Sequence, residues 1–355
     1  MISIREISKK TGVSTATVSR ALDPRYSHKV RASTRARVLS FCDEKNYRPS
    51  VTGRSFVTGK TFKVGMIFGS ITTDLGNPLC GLFMRGVCSV LQQHNYAPVI
   101  LHATEESGLE TSVSDFLRSN VADAYIIGSI MITDKVYCAI RNCGCPVVAT
   151  DSEQFDNSRI SLINRHSVPA YREVWRQIPE RWRNATAFVA NQASTSQYKL
   201  NAICAAAPTA EKPPFIPLDF PFTEFCFDRH SARVAAEKRL SELTRYRLLW
   251  CGSDLTALGI ADALSAAGIV PGRDIFLVGH DNVEGIDSFR GIPFLSTIDT
   301  RWEERGRLSA QVALEQIESW APCRIDLPSI YIPRQSFPNP LAFHEIDHKQ
   351  TGGEE

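Results

Sequence analysis

The chain has 355 residues, 43% hydrophobic and 22% charged, a composition that fits a globular protein of two or three domains. No apolar run approaches the roughly 18–20 residues needed to span a membrane, and the N-terminal Met-Ile-Ser-Ile-Arg-Glu lacks a signal-peptide core, so a cytoplasmic protein with no membrane partner is expected. The net charge of +2 hides an asymmetry: residues 1–61 carry 13 Lys and Arg against 4 Asp and Glu, or +9, leaving −7 for the remainder, which gives the head alone the balance of a polyanion binder.

Residues 1–46 read as three short helices. Ile4 and Ile7 mark one face of the first, and Gly12 ends it in a tight turn. Ser14 is placed to cap a second helix from Thr15 to about Leu22, with Val18 and Leu22 facing a small core. Asp23-Pro24 stops it, and a third helix follows from about Ser33 to Lys45, with Val38, Leu39 and Phe41 inward. Two helices joined by a glycine turn and braced by a third predict a helix-turn-helix domain.

On the second helix Thr15, Ala16, Ser19 and Arg20 share the outer side. Arg20 suits a bidentate contact to guanine, the Ala16 methyl suits a thymine methyl, and Thr15 can make either kind of contact. Ser14, Thr17, Ser19, Thr34 and Tyr47 are the candidates for the DNA backbone.

Residues 47–61 form a linker. A short helix can begin after Pro49 and end at Gly59, but Gly53 inside it costs roughly 1 kcal/mol against alanine, so the helix needs a partner surface to form.

From Lys63 the texture changes to alternating strands and helices. Strands are predicted at Val64–Phe68, Ala97–His102, Ala124–Ile127 and Pro146–Ala149, with helices at Leu79–Gln93, about Glu110–Asn120 and about Lys135–Asn142. A second series runs through strand Thr186–Ala190, helix Gln197–Ala207, strand Phe215–Leu218, helix Ser231–Leu243, strand Leu248–Cys251, helix Ala257–Ala267 and strand Ile275–Val278. Two such series predict two lobes of parallel sheet covered by helices, with a ligand cleft at the carboxyl ends of the strands. The polar segment 341–355 reads as a disordered tail without leucine heptads.

The ten cysteines are expected to be reduced and mostly core; Cys143-Gly-Cys145 has no second pair at zinc spacing, so no metal is expected. No Gly-rich phosphate loop or GxSxG is present, and neither an enzyme nor a cofactor is expected.

The run Ile4–Arg20 (IREISKKTGVSTATVSR), with Thr34–Val38 and Asn46-Tyr-Arg-Pro49, resembles the LacI/GalR (lactose-repressor) family of bacterial transcription regulators. The body carries weaker echoes in the family's order: Asn77-Pro78, Arg85-Gly86, Ser253–Gly259, Gly279-His-Asp281, Leu295–Ile298 and Arg334-Gln-Ser336. The resemblance implies an all-α helix-turn-helix domain (1–46), a hinge (47–61) and an α/β two-lobe body like periplasmic binding proteins (62–340). In that body the N-lobe is about 62–162 with 300–325, and the C-lobe about 163–299 with 326–340. It implies a homodimeric repressor on near-palindromic double-stranded operator DNA, controlled by a small-molecule effector, sugar-like in kind, between the lobes. A ligand-independent repressor with a degenerate cleft is the alternative.

By the same resemblance Phe56 stands where the family inserts a leucine wedge into the minor groove, and Gly53 where it commonly has alanine. The positions matching the family's effector site are Leu79, Cys80, Asp151, Tyr198, Phe227, Ser253 and Asp281. The family's clamping arginine is missing from Ser194–Lys199, with Tyr198 or Lys199 nearby. Ser253 replaces an asparagine, His280 an aromatic, and Asn164-Arg-His166 departs from an aspartate-bearing segment.

Overall fold

The structure, a computed structural model, describes residues 2–23, 26–47, 55, 58–68, 77–102, 109–128, 133–151, 159–192, 194–208, 212–219, 229–283 and 293–338. The chain divides into two compact units, Met1–Phe62 and Lys63–Glu355.

The head contains α1 (Ile4–Thr11), α2 (Thr15–Leu22) and α3 (Ala32–Glu44). A capping box starts α1: Glu6 N–H donates to Ser3 Oγ at 3.3 Å, and Ser3 N–H donates to Glu6 Oε2 at 2.8 Å. Gly12 ends α1 at φ 66°, where a side chain would be strained, and its N–H bonds Ser8 O. Ile7, Val18, Ala21, Val38 and Cys42 are the buried core. Ala21 takes the inward place expected for Leu22: it lies three residues from Val18 on the same helical face, and Leu22 packs half-buried at the rim. On α3 likewise, Cys42 joins Val38 in the core while Leu39 and Phe41 are half-buried.

The body alternates β1 (Lys63–Phe68), α4 (Pro78–Gln93), β2 (Ala97–His102), α5 (Leu109–Arg118), β3 (Ala124–Gly128), α6 (Asp134–Asn142), β4 (Val147–Thr150) and β5 (Ile160–His166). The second series is α7 (Val168–Gln177), β6 (Thr186–Ala190), α8 (Ser194–Ala206), β7 (Phe215–Pro217), α9 (Arg229–Lys238), α10 (Leu240–Leu243), β8 (Leu248–Cys251), α11 (Asp254–Ala266), β9 (Phe276–His280) and β10 (Ser296–Asp299). The chain then returns through α12 (Trp302–Glu318), β11 (Arg324–Pro328) and β12 (Ile330–Ile332).

One sheet has the order β11-β5-β4-β3-β1-β2 and the other β12-β10-β9-β8-β6-β7. Pairing is parallel except for β12, which runs antiparallel to β10. Near-continuous apolar strands such as Ala124–Gly128 are buried throughout because helices cover both faces.

Three crossovers join the lobes, at 166–168, 299–302 and 328–330. The first lobe therefore extends to His166 rather than 162, and its returning segment to Pro328 rather than 325. β11 pairs along its whole length with β5, Leu162 opposite Arg324 through His166 opposite Pro328. Two crossovers are tied side by side: Ser329 N–H donates to His166 O at 3.0 Å, and the Ser167 and Ser329 hydroxyls bond at 2.8 Å.

In the first lobe α4 and α12 pack through glycines. A Cβ on Gly86 would overlap the Glu303 carbonyl oxygen, and one on Gly306 the Phe83 carbonyl oxygen, so only glycine allows this separation. The single helix expected over 231–243 is two, divided at Arg239. Cys138 is exposed, so the cysteines are not all core. Among the described residues no helix is long and apolar enough to cross a membrane.

Candidate functional site

The head presents the first site. Ser14 Oγ accepts from Thr17 N–H at 3.1 Å and lies 2.9 Å from Thr17 Oγ1, which fixes the first turn of α2. Val18 and Ala21 anchor the helix, and Thr15, Ala16, Ser19 and Arg20 stand exposed on the opposite side. Thr34 lies half-buried in the first turn of α3. Tyr47 is half-buried against the head core, which pushes its phenol pKa up by desolvation and leaves its ring mainly to packing. Gly53 and Phe56 lie outside the described residues.

The second site lies where the carboxyl ends of the two sheets meet. Asp151 follows β4 at φ 53° and Asp281 follows β9 at φ 101°, both in the left-handed region that non-glycine residues rarely occupy. Asp151 Oδ1 accepts from Arg165 N–H at 3.1 Å and lies 3.8 Å from Arg165 Nε. Its Oδ2 pairs with Arg305 Nη1 from α12. Burial alone would raise the Asp151 carboxyl, but the Arg305 and Arg165 guanidiniums outweigh it and bring it down to about 2.

Asp281 Oδ1 lies 3.0 Å from His280 Nδ1 and accepts from Thr300 Oγ1 at 3.1 Å; its Oδ2 is 3.6 Å from Lys199 Nζ. Burial opposes this carboxylate too, but Lys199 and His280 hold it well below the usual range. His280 is lowered to about 4 by burial and then by Lys199, so the ring is neutral. The adjacent carboxylate holds the proton on Nδ1, and Nε2 is left to accept from the Tyr171 hydroxyl at 2.9 Å. Lys199 donates to Gly252 O at 2.6 Å; burial lowers its pKa against the pull of Asp281. The lobes touch here: the Arg165 guanidinium of the first lies 5.8 Å from the centroid of the Tyr198 ring of the second.

The other expected positions are placed less centrally. Leu79 is half-buried in the first turn of α4, where its N–H donates to Asn77 Oδ1 at 2.9 Å. Cys80 is buried among core residues of that lobe. Ser253 caps α11 by accepting from Thr256 N–H at 3.1 Å. Phe227 lies outside the described residues.

Sequence reasoning passed over Arg165, Tyr171, Asp254 and Arg305. Arg305 is fully buried, with its guanidinium 3.9 Å from the centroid of the Trp302 ring. The one signal for it was its place on the same helical stripe as Ser309, Val312 and Gln316, all buried.

A helix-turn-helix head whose anchored second helix leaves one face exposed, followed by two mainly parallel sheets joined by three crossovers, is the architecture of a DNA-binding regulator with a binding-protein-like body. The pattern of "Bacterial regulatory proteins, lacI family" matches residues 3–50, and that of "Periplasmic binding protein-like domain" matches residues 217–337. The HTH-type transcriptional repressor PurR of Vibrio atlanticus (strain LGP32) is 24% identical over 329 residues, covering 90% of this chain and 92% of that protein. The chain thus carries a lacI-family DNA-binding domain and a periplasmic-binding-protein-like domain, and the relatives it resembles are transcription regulators.

The fold is shared with the lac repressor dimer bound to operator and the anti-inducer ONPF: TM-score 0.75, 20% identity, covering 95% of this chain and 99% of that one. It is also shared with a LacI-family regulator from Enterococcus faecium with bound ribose: TM-score 0.64, 18% identity, covering 78% of this chain and 99% of that one.

Proposed function

We propose that the protein is a homodimeric repressor that acts in the cytoplasm, on the nucleoid, at a near-palindromic operator. Each α2 reads one half-site through Thr15, Ala16 and Arg20, while Ser14, Thr17, Ser19, Thr34 and Tyr47 face the backbone. The observation that carries this is the division of α2 into a buried Val18–Ala21 side and an exposed Thr15–Ala16–Ser19–Arg20 side, on a head of charge +9 over residues 1–61. The hinge, with Gly53 and Phe56, is assigned to the central minor groove on the family resemblance alone. Dimerisation is assigned to the lobes, where edge strand β2 leaves Ile100 40% exposed.

A small molecule held between the lobes by the group around Asp151, Tyr198 and Asp281 shifts the DNA affinity. It does so only as far as it prefers one lobe arrangement to the other. The operator-bound and ribose-bound neighbours support both halves of this reading.

One observation favours a second reading, a ligand-independent repressor: Asp151 and Asp281 already have protein cations as partners. Selection of bound duplexes from a random pool, with and without candidate ligands, tests both. A pool with no enriched half-site would remove the DNA reading, and a monomer at micromolar concentration in sedimentation would remove the dimer.

A further inference from the structure

We propose that the interlobe site takes an acidic small molecule, whose carboxylate or phosphoryl oxygens dock on the free edge of the Arg305 guanidinium; this rests on the reading of the body as an effector-binding unit.

The first ground is hydrogen-bonding capacity. A neutral sugar's hydroxyls both donate and accept, whereas an anion's oxygens only accept. Both carboxylates at the site are already engaged by protein donors. Asp151 accepts from Arg165 and Arg305, and Asp281 Oδ1 accepts from His280 and Thr300, with Lys199 Nζ 3.6 Å from its Oδ2. The buried groups left unmatched at the site are donors. Arg305 Nε and Nη2, Trp302 Nε1 and Asn191 Nδ2 are buried without a hydrogen-bond partner among the described residues. Asn191 stands at the carboxyl end of β6, and Trp302 opens α12 after a crossover.

The second ground is the shape of what remains on Arg305. Nη1 is committed to Asp151. Nε and Nη2 form the opposite edge of the planar group, and their N–H bonds run side by side. That edge is a complete bidentate fork for two oxygens of a carboxylate or phosphoryl group. An acidic ligand thus gains two charge-assisted bonds without breaking the Asp151 pair. The Trp302 ring, stacked on one face of the guanidinium, holds the fork in its plane.

The third ground is charge. The described cluster holds three cations, Arg165, Lys199 and Arg305, against two carboxylates, Asp151 and Asp281, with His280 neutral. Asp254 and Arg334, close enough to influence one another, offset each other when both are charged. A buried surplus of one positive charge is matched by a ligand of opposite sign.

The test is calorimetry on the full-length protein at constant ionic strength, with matched neutral and acidic probes: D-glucose, D-gluconate and D-glucose 6-phosphate; D-ribose and D-ribose 5-phosphate; and inorganic phosphate. At least one acid is expected to bind about thirtyfold or more tightly than its neutral counterpart. Gluconate against glucose 6-phosphate separates a carboxylate from a phosphoryl ligand. Arg305→Leu is expected to abolish the difference, whereas Arg307→Leu, on the more exposed side of the same helix, retains it. Should Arg305→Leu fail to fold, the wild-type panel still decides. A neutral sugar bound as tightly as its acid, or no anion bound beyond the neutral probes, overturns the proposal. A neutral sugar that alters operator affinity would do so while leaving the effector reading intact. Acids that bind without altering operator affinity would remove the effector reading alone.

Discussion

Asp254 offers the sharpest quantitative check on the electrostatics of the second lobe. Its carboxylate is fully buried at the start of α11, where Oδ1 accepts from Thr297 Oγ1 at 2.6 Å and Oδ2 from Val283 N–H at 2.7 Å. Burial outweighs those bonds and raises its pKa to about 7. In the unfolded chain the same group loses its proton near pH 4. Between those values the folded state holds the extra proton, so stability falls as pH rises from about 4 to about 7. The steepest slope is about 1.4 kcal/mol per pH unit and the whole drop at most about 4 kcal/mol.

His280 acts in the opposite sense within part of this window. Its folded value is lowered to about 4 from an ordinary 6.5, so the folded state binds fewer protons there and stability rises with pH up to about 6.5. The wild-type profile is therefore the flattened sum of two opposed slopes, and the informative quantity is its difference from Asp254→Asn. Asparagine fits the same bonds: its oxygen accepts from Val283 N–H and its amide donates to Thr297 Oγ1. Urea unfolding at pH 5, 6, 7 and 8 should show the variant gaining on wild type by roughly 1 kcal/mol per unit up to pH 7 and by a constant margin beyond. Parallel profiles for the two proteins would refute the reasoning.

Ser14→Ala removes the oxygen that receives Thr17 N–H and should cost the head about 1 kcal/mol, read as faster amide exchange through residues 15–22. Gly86→Ala drives a methyl into the Glu303 carbonyl and should cost about 1–3 kcal/mol or more in thermal unfolding; Gly81→Ala, with open space on the same helix, should be neutral or stabilising. Arg20→Ala should lower affinity for a selected operator by about 1–3 kcal/mol and relax one base position, as seen by repeating the selection with the variant.

What could be read from the chain, and what could not, follows the range of the forces involved. Gly12 and Ser14 act on their own neighbours, so the turn and cap of the head are visible in five residues. β1 to β4 announce themselves as apolar runs. β5 does not, because Ser161 and Asn164 interrupt Ile160–His166; both are buried, and Ser161 Oγ is bound by Gln316 and by Cys323 N–H from far along the chain. α12 has no side-chain cap: Arg301 at its start takes φ 56°, and Trp302-Glu-Glu-Arg-Gly-Arg reads as a solvated face. The burial of Arg305 is decided by Asp151, more than a hundred and fifty positions earlier in the chain. Asp281 could be picked out because it follows a strand, but the His280–Tyr171 pair behind it joins two elements with no local relation.

The same network constrains how a ligand can move the lobes. Any compound that competes for Asp151 or Asp281 must first separate a buried ion pair, and the separated arginine or lysine then stands desolvated without a partner. That penalty, about 3–5 kcal/mol for a buried pair, consumes most of what a few sugar hydroxyls return. A compound that adds to the network incurs no such loss. An anion on the Nε–Nη2 edge of Arg305 keeps Asp151 in place, and Arg165 stays over Tyr198, the contact that spans the lobes. Differential affinity is the only lever a ligand has on a two-state body, so the arrangement favoured by an anion is the one in which Arg165, Tyr198 and Lys199 are drawn together. A closing ligand of this kind should therefore make the body more compact in small-angle scattering, in step with its effect on operator affinity.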